Sequence, residues 1–354
     1  MVRIAAAVVL LAVAAVSAHA GTARRIALGG DVGYEPDADE ARRWYASLVD
    51  HPDRLFFEFG ELLAGGGGRV PDPGMIGHGG GVQARLSADP RWGTASVTFE
   101  DGQEHGSNDG AFGLGWARRF GGVDVGVGGR FTTFGESSTG TQAGDRVDAQ
   151  YFHQYGFGLR GAPRPDLTVE LAGEIINSMA ESHDAVHHLN ATSTWSSFGL
   201  RSRCSLAVTP ELRLVPQVDH FRDSRSAFDD QLAGPADLDA RLTRVGLAVL
   251  SQPDPRTLVI IAAEYRTGRD DRRARTAEST DFAWTSKERS FYHLRGRGAV
   301  EAALRPWLTL RAAVTYVRAD DKEWLNLSTA ETVAEARLET TVATPLSLGL
   351  GVQW

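Results

Sequence analysis

After Asp53 the chain settles into segments of about ten to sixteen residues in which apolar side chains recur at every second position, separated by alternately short and longer connections. The plainest stretch is Leu346-Ser347-Leu348-Gly349-Leu350-Gly351-Val352, and Leu308, Leu310, Ala312, Val314 and Tyr316 repeat its phase. A β-strand turns successive side chains to opposite faces, so a period of two sets one face against an apolar medium and the other against a polar one. The apolar phase takes in Phe57, Phe59, Phe112, Leu114, Trp116, Val123, Val125, Val127, Tyr155, Phe157, Leu159, Val245, Leu247, Val249, Leu294 and Val300. The opposite phase holds Asp124, Arg130, Arg160, Glu170, Glu174, Arg213, Asp219, Arg244, Glu264, Arg295, Arg297, Glu301 and Arg311. An arginine on the lipid side of a bilayer midplane destabilises by about 2–4 kcal/mol. Charges confined to one phase therefore mark that face as a wet lumen and the other as lipid-facing.

The connections set the strand number. Short ones, most with Pro or Gly, fall at 88–91, 120–122, 162–166, 208–211, 252–256 and 304–307, as tight turns require. Longer, more polar ones fall at 65–77, 102–109, 135–149, 181–189, 223–239, 267–287 and 319–332. Six turns and seven loops join fourteen strands, an even number that leaves both ends on the periplasmic side with the short turns. The expected fold class is all-β: a transmembrane outer-membrane antiparallel β-barrel of about 14 strands over 54–354, closed by pairing Leu346 to Trp354 with Leu55 to Leu63. The 40 glycines and a mean hydropathy of −0.23 fit such a barrel, because only half of each strand is apolar. Trp92, Phe120, Trp195, Trp307, Tyr316 and Trp354 stand at strand ends, where interfacial girdles are expected.

The two ends carry address signals. Arg3, the apolar run Ile4 to Val16 and Ala18-His19-Ala20 read as a secretory signal peptide over 1–20, cleaved before Gly21. A terminal amphipathic strand ending on Trp354 resembles the targeting signal of bacterial outer-membrane β-barrels, which points to the barrel-assembly machinery and outer-membrane lipid as partners and to the cell outer membrane of a Gram-negative bacterium as the location. The net charge of −8 argues against nucleic acid as a partner. A lone cysteine, Cys204, makes no intramolecular disulfide and lies in the lipid-facing phase beside Leu206.

Residues 21–53 do not alternate, and Ala38 to Val49 reads as a short amphipathic helix. Ala23-Arg24-Arg25-Ile26-Ala27-Leu28-Gly29-Gly30, the acidic turn Asp37 to Glu40 and the pair Trp44-Tyr45 resemble the start of the long-chain fatty acid transporter (FadL-like) superfamily of outer-membrane barrels. Where that group has an Asn-Pro-Ala-Gly turn, this chain has Ser47-Leu48-Val49-Asp50-His51-Pro52-Asp53. The resemblance implies a barrel plugged by its N-terminal segment. On that reading Arg24, Arg25, Arg42 and Arg43 meet lumenal acids such as Glu170, Glu174 and Glu301, while Trp44 and Tyr45 give an apolar face to a substrate path.

Other chemistry is thinly supported. His183-Asp184-Ala185-Val186-His187-His188 matches no defined metal spacing. The runs Gly65 to Gly68 and Gly79 to Gly81 lack the Lys-Ser/Thr of a phosphate loop, and His293 shares the lumenal phase of Arg295 and Arg297. No catalytic residue, metal or cofactor is expected, so the chain reads as a non-enzyme. The mixed lumenal charges read as salt-bridged contacts of wall and plug, ahead of a solute-filtering field. The function expected is passive uptake of a small solute, apolar solutes included; the rivals are a structural or secretion-associated barrel and an outer-membrane lipid hydrolase. Deleting Trp354, or replacing it with a charged residue, should impair assembly, seen as loss of the heat-modifiable folded form from outer-membrane fractions.

Overall fold

The computed structural model describes residues 34, 44–51, 54–60, 76–87, 89–104, 107–138, 146–184, 189–229, 236–276, 283–305, 308–327, 333–344 and 346–352. The signal segment 1–20, Arg24, Arg25, Arg42, Arg43, the Leu-Gly-Gly opening, Gly65 to Gly68, Trp307 and Trp354 lie outside these. The ordered strands are β1 (Arg54–Gly60), β2 (Ile76–Arg85), β3 (Thr94–Glu104), β4 (Ser107–Phe120), β5 (Val123–Ser138), β6 (Arg146–Arg164), β7 (Leu167–Asp184) and β8 (Leu189–Thr209). They continue through β9 (Leu212–Asp229), β10 (Ala236–Asp254), β11 (Thr257–Thr276), β12 (Ala283–Arg305), β13 (Leu308–Leu327), β14 (Val333–Ala343) and β15 (Leu346–Val352). All are antiparallel to their sequence neighbours in one sheet, except that β14 and β15 both pair with β13.

β14 and β15 are two pieces of a fourteenth strand. Val317 pairs with Ala343 and Val314 with Leu346, so the register is the same on both sides of the break. Thr344 is outside the ladder, and the residue that follows it in the sequence is Pro345, which has no N–H to give a ladder.

Two expectations need correction. First, among the described residues β1 pairs with β2 and β15 with β13, and the ladder expected to close Leu346 to Trp354 on Leu55 to Leu63 is not present. Opposite Phe56, Phe57, Glu58 and Gly60, β2 offers Gly81, Gly80, Gly79 and Gly77. At these four positions the edge has no cross-strand side-chain pair of the kind that fixes register elsewhere, and Leu55 opposite Val82 and Phe59 opposite His78 are the apolar or aromatic pairings left. Second, the strands outrun their expected ends. Most of 267–287 reads as loop in the sequence, yet β11 runs to Thr276 and β12 starts at Ala283, paired throughout. About ten residues of a tilted strand cross the bilayer, and β12 has 23. Beyond the membrane both faces are wet, so alternation fades while the backbone bonds, already in register, continue.

The six short connections fall where expected. At Gly121-Gly122 a two-residue hairpin puts Gly121 at φ 61°, a conformation glycine adopts without steric penalty. At three others a turn carbonyl accepts from the next hairpin: Asp166 from Ala207 N–H, Glu211 from Gln252 and Arg256 from Ala303.

Exposure inverts the usual order of a water-soluble protein. Val245, Leu247 and Leu294 are each 49% exposed, whereas Asp219 is 0% and Glu264 2% exposed. The apolar phase faces outward and the charged phase inward, which is the dressing of a sheet with lipid outside and water within. Replacing Leu247 by Arg should lower stability by about 2–4 kcal/mol, measured by reversible urea unfolding from lipid vesicles.

Candidate functional site in the lumen

The inner face is built around the N-terminal segment. Of the helix expected over Ala38 to Val49, the described part is a single 3-10 turn, Tyr45–Asp50. Trp44, Tyr45, Ala46, Ser47 and Leu48 are all buried. They are accommodated by absent side chains in the wall. Gly126 stands opposite Gly158 and Gly128 opposite Gly156 across β5 and β6. A Cβ on Gly128 would lie 2.0 Å from the Tyr45 ring, one on Gly156 2.2 Å from it, and one on Gly126 2.3 Å from the Tyr45 backbone. At Gly158 it would lie 2.7 Å from the Ala46 nitrogen. These four glycines form a seat that other residues would fill.

Charge holds the rim of the seat. Asp50 pairs with Arg160, and at 3.8 Å with Arg119. Asp124 accepts from Arg119 at 2.7 Å and Arg160 at 2.6 Å. Glu170 pairs with Arg203 and lies 3.9 Å from Arg160, while the Arg203 guanidinium lies over the Trp44 ring, 4.4 Å from its centroid. Three arginines and three carboxylates thus balance in one network at the foot of the 3-10 turn. Burial of charge is tolerated here because each group is paired and hydrogen-bonded.

Similar clusters line the rest of the inner face. Glu174 accepts from Arg201 at 2.5 Å and from Gln154 at 2.7 Å. Asp219 pairs with Arg244 and accepts from Gln217 at 3.0 Å, while Glu264 takes Arg266 at 2.5 Å and Arg244 at 3.7 Å. Glu301 accepts from Arg311 at 2.6 Å. Arg130, Arg295 and Arg297 share the inward phase and are partly or fully buried, and Arg213, also in that phase, is exposed near the turns. The partners described for Glu170, Glu174 and Glu301 are wall residues, and Arg24, Arg25, Arg42 and Arg43 lie outside the described residues.

One sector of the inner face is apolar. Val215, Ala248, Leu250, Ile260, Ala262, Ala299 and Ala313, from β9 to β13, form a buried cluster capped by Tyr34. The Tyr34 hydroxyl occupies the place of the missing side chain of Gly246: a Cβ there would lie 1.7 Å from it. Burial, then the nearby Glu264 carboxylate, push this hydroxyl up to about 12, so it stays neutral. Leu250 and Leu258 continue the cluster into a cavity of about 320 Å³ at the turn end, shared with Arg213, Gln252, Glu301 and Thr309.

Sequence reasoning missed Arg201, Arg203, Asp50 and Tyr34. Arg201 and Arg203 lie in the phase of Gly199 and could have been read as lumenal; Asp50 and Tyr34 precede the alternating region and carried no such signal. On the lipid side, His220 Nδ1 lies 3.0 Å from Thr243 Oγ1, a hydroxyl–imidazole pair with no orienting carboxylate among the described residues.

No protein-family model matches the chain, and no curated protein does. Among solved structures, the alcaligin outer-membrane receptor FauA of Bordetella pertussis aligns with 76% of this chain and 59% of its own, at 9% identity and a TM-score of 0.49. The ferric-catecholate import receptor Fiu of E. coli K12 aligns with 76% and 63%, at 7% identity and a TM-score of 0.47. The P. putida toluene transporter TodX aligns with 93% of this chain and 98% of its own, at 10% identity and a TM-score of 0.38. The chain spans about three fifths of the length of the two receptors. Its assignment as an outer-membrane β-barrel rests on the ladder and its two faces.

Replacing Glu170 by Ala should cost about 3 kcal/mol, because Arg203 is left buried without its carboxylate. Replacing Asp166 by Ala, which breaks the exposed pair with Arg164 in a turn, should cost under about 1 kcal/mol. Guanidinium unfolding in detergent micelles compares the two.

Proposed function

We propose that the chain is a plugged outer-membrane channel for passive uptake of a small apolar solute, akin to the FadL-like group its N-terminus resembles. The observation that carries this reading is the seating of Trp44 to Leu48 on the inner-face glycines, with Tyr34 set against the wall of β9 to β13. Two contacts on separate sectors of the wall, at Tyr34 and at Trp44 to Leu48, support the reading of the N-terminal segment as a plug. An interior held by neutralised ion pairs offers little to a charged solute. The apolar sector under Tyr34 and the adjoining cavity offer a path to an apolar one. A fourteen-stranded barrel is wider than its own side chains fill, so the segment has a space to block.

Planar-bilayer conductance tests this. Removal of residues 21–50 should turn a silent or weakly conducting protein into an open channel. Replacing Gly128 by Leu, which unseats Tyr45 without a deletion, should raise conductance in the same direction. Equal conductance in all three proteins would refute the plug. Vesicle uptake of a fluorescent apolar probe, unchanged by Leu250→Glu, would refute the apolar path.

A further inference from the structure

The outward face changes character in ordered steps across β9 to β12. Val218, Val245, Tyr265 and Leu294 stand directly opposite one another along successive ladders and face out. One outward position further from the short turns, His220, Thr243, Thr267 and Tyr292 are opposite one another. The next row is Arg222, Arg241 and Arg269 with Ser290 on β12, and the one after it Ser224, Asp239, Asp271 and Glu288. Apolar side chains thus give way to hydroxyls and an imidazole, then to cations, then mainly to acids.

Three like charges directly opposite across two ladders destabilise a sheet unless an anion intervenes. The acids of the outer row equal the arginines in number but are unevenly shared. Asp239 is shared, at 3.3 Å from Arg222 and 3.5 Å from Arg241; Arg269 pairs with Asp271 at 3.0 Å and Glu288 at 3.1 Å. These contacts engage Nε and Nη2 of Arg222, Nη2 of Arg241, and Nε and Nη2 of Arg269. Nη1 of all three has no partner among the described residues, and the side chains are 57%, 60% and 58% exposed. Arg222 lies ten residues beyond Leu212, about 34 Å along the strand and about 25 Å along the membrane normal at barrel tilt, which is the height of the apolar band.

We propose that Arg222, Arg241 and Arg269 form a binding row for the phosphates of outer-leaflet glycolipid. The row stands at the membrane edge away from the short turns, above hydroxyls and above an acyl-facing belt, and carries unused guanidinium donors in a geometry suited to phosphate. The stepwise order of the side chains matches acyl chain, sugar and phosphate in a phosphorylated glycolipid.

The test uses the full chain folded in phosphatidylcholine vesicles containing bisphosphorylated lipid A, dephosphorylated lipid A, or neither, and reads the melting of the heat-modifiable band. The native protein should melt higher with the phosphorylated glycolipid than with the dephosphorylated one. The triple variant Arg222→Gln, Arg241→Gln, Arg269→Gln should lose that difference while melting like the native protein in phosphatidylcholine alone. In detergent, its retention of phosphorylated lipid A should fall roughly tenfold or more, since charged hydrogen bonds contribute about 1.5–3 kcal/mol each. Should the triple variant not fold, Arg241→Gln alone should reduce the melting difference and the retention. An equal difference in native and variant proteins overturns the proposal. So does a native protein indifferent to phosphorylation, or one that inorganic phosphate in phosphatidylcholine vesicles stabilises as much as lipid A does. None of these outcomes depends on the plug or the solute.

Discussion

Inside a bilayer no water reaches the peptide groups, so each backbone N–H and C=O in the apolar band must find its partner on a neighbouring strand. The rest of this molecule follows from that demand. Once the ladders are fixed, a slip of one residue would turn every side chain to the wrong face. The slip is forbidden from both sides: Leu247 would enter water and Asp219 would enter lipid. The phase is set jointly by apolar residues outside and paired charges inside, and neither set alone would do so as firmly.

The inward charges do more than avoid lipid. Where Arg119, Arg160 and Arg203 meet Asp50, Asp124 and Glu170, the network ties five strands, β4 to β8, to the N-terminal segment. The glycine seat beside it works by subtraction. Gly126, Gly128, Gly156 and Gly158 leave a hollow in an otherwise lined wall, and Tyr45 with Ala46 takes up the room. The same device recurs at Gly246 under Tyr34. The interior is thus divided into a charged, docked sector and an apolar sector with a cavity at its foot.

How much of this was legible in the sequence depends on the physical range of each effect. Face and turn position are local: Val123, Val125 and Val127 around Asp124, or Gly121-Gly122 between two alternating runs, carry their message within a few residues. Partner choice is not local. Glu170 and Arg203 are brought together by the pairing of β7 with β8, and nothing near either residue foretells the other. The glycines of β5 and β6 read as loosened strand positions until Tyr45 is seen against them. Strand ends were misjudged because hydrophobic alternation reports the membrane, whereas the ladder continues past it, as between Arg272 and Lys287. The break before Pro345 could be read from the missing N–H, but not that both pieces would keep one register.

Nearly all of the positive charge is guanidinium: of 37 basic residues, only Lys287 and Lys322 are lysine. The distinction matters on both faces. Inside, a planar, weakly hydrated cation with five donors can satisfy two carboxylates at once, as Arg160 does for Asp50 and Asp124, and can sit over an aromatic ring, as Arg203 does over Trp44. A strongly hydrated ammonium would give up more solvation to enter the same site. Outside, the same multiplicity lets Arg222, Arg241 and Arg269 share acids and still present unused N–H groups at the membrane edge. The inner arginines are spent on carboxylates of their own chain and stabilise the wall. The outer ones are matched in number by Asp239, Asp271 and Glu288, yet Nη1 of each has no partner among the described residues, and those are the donors the proposed phosphate would take.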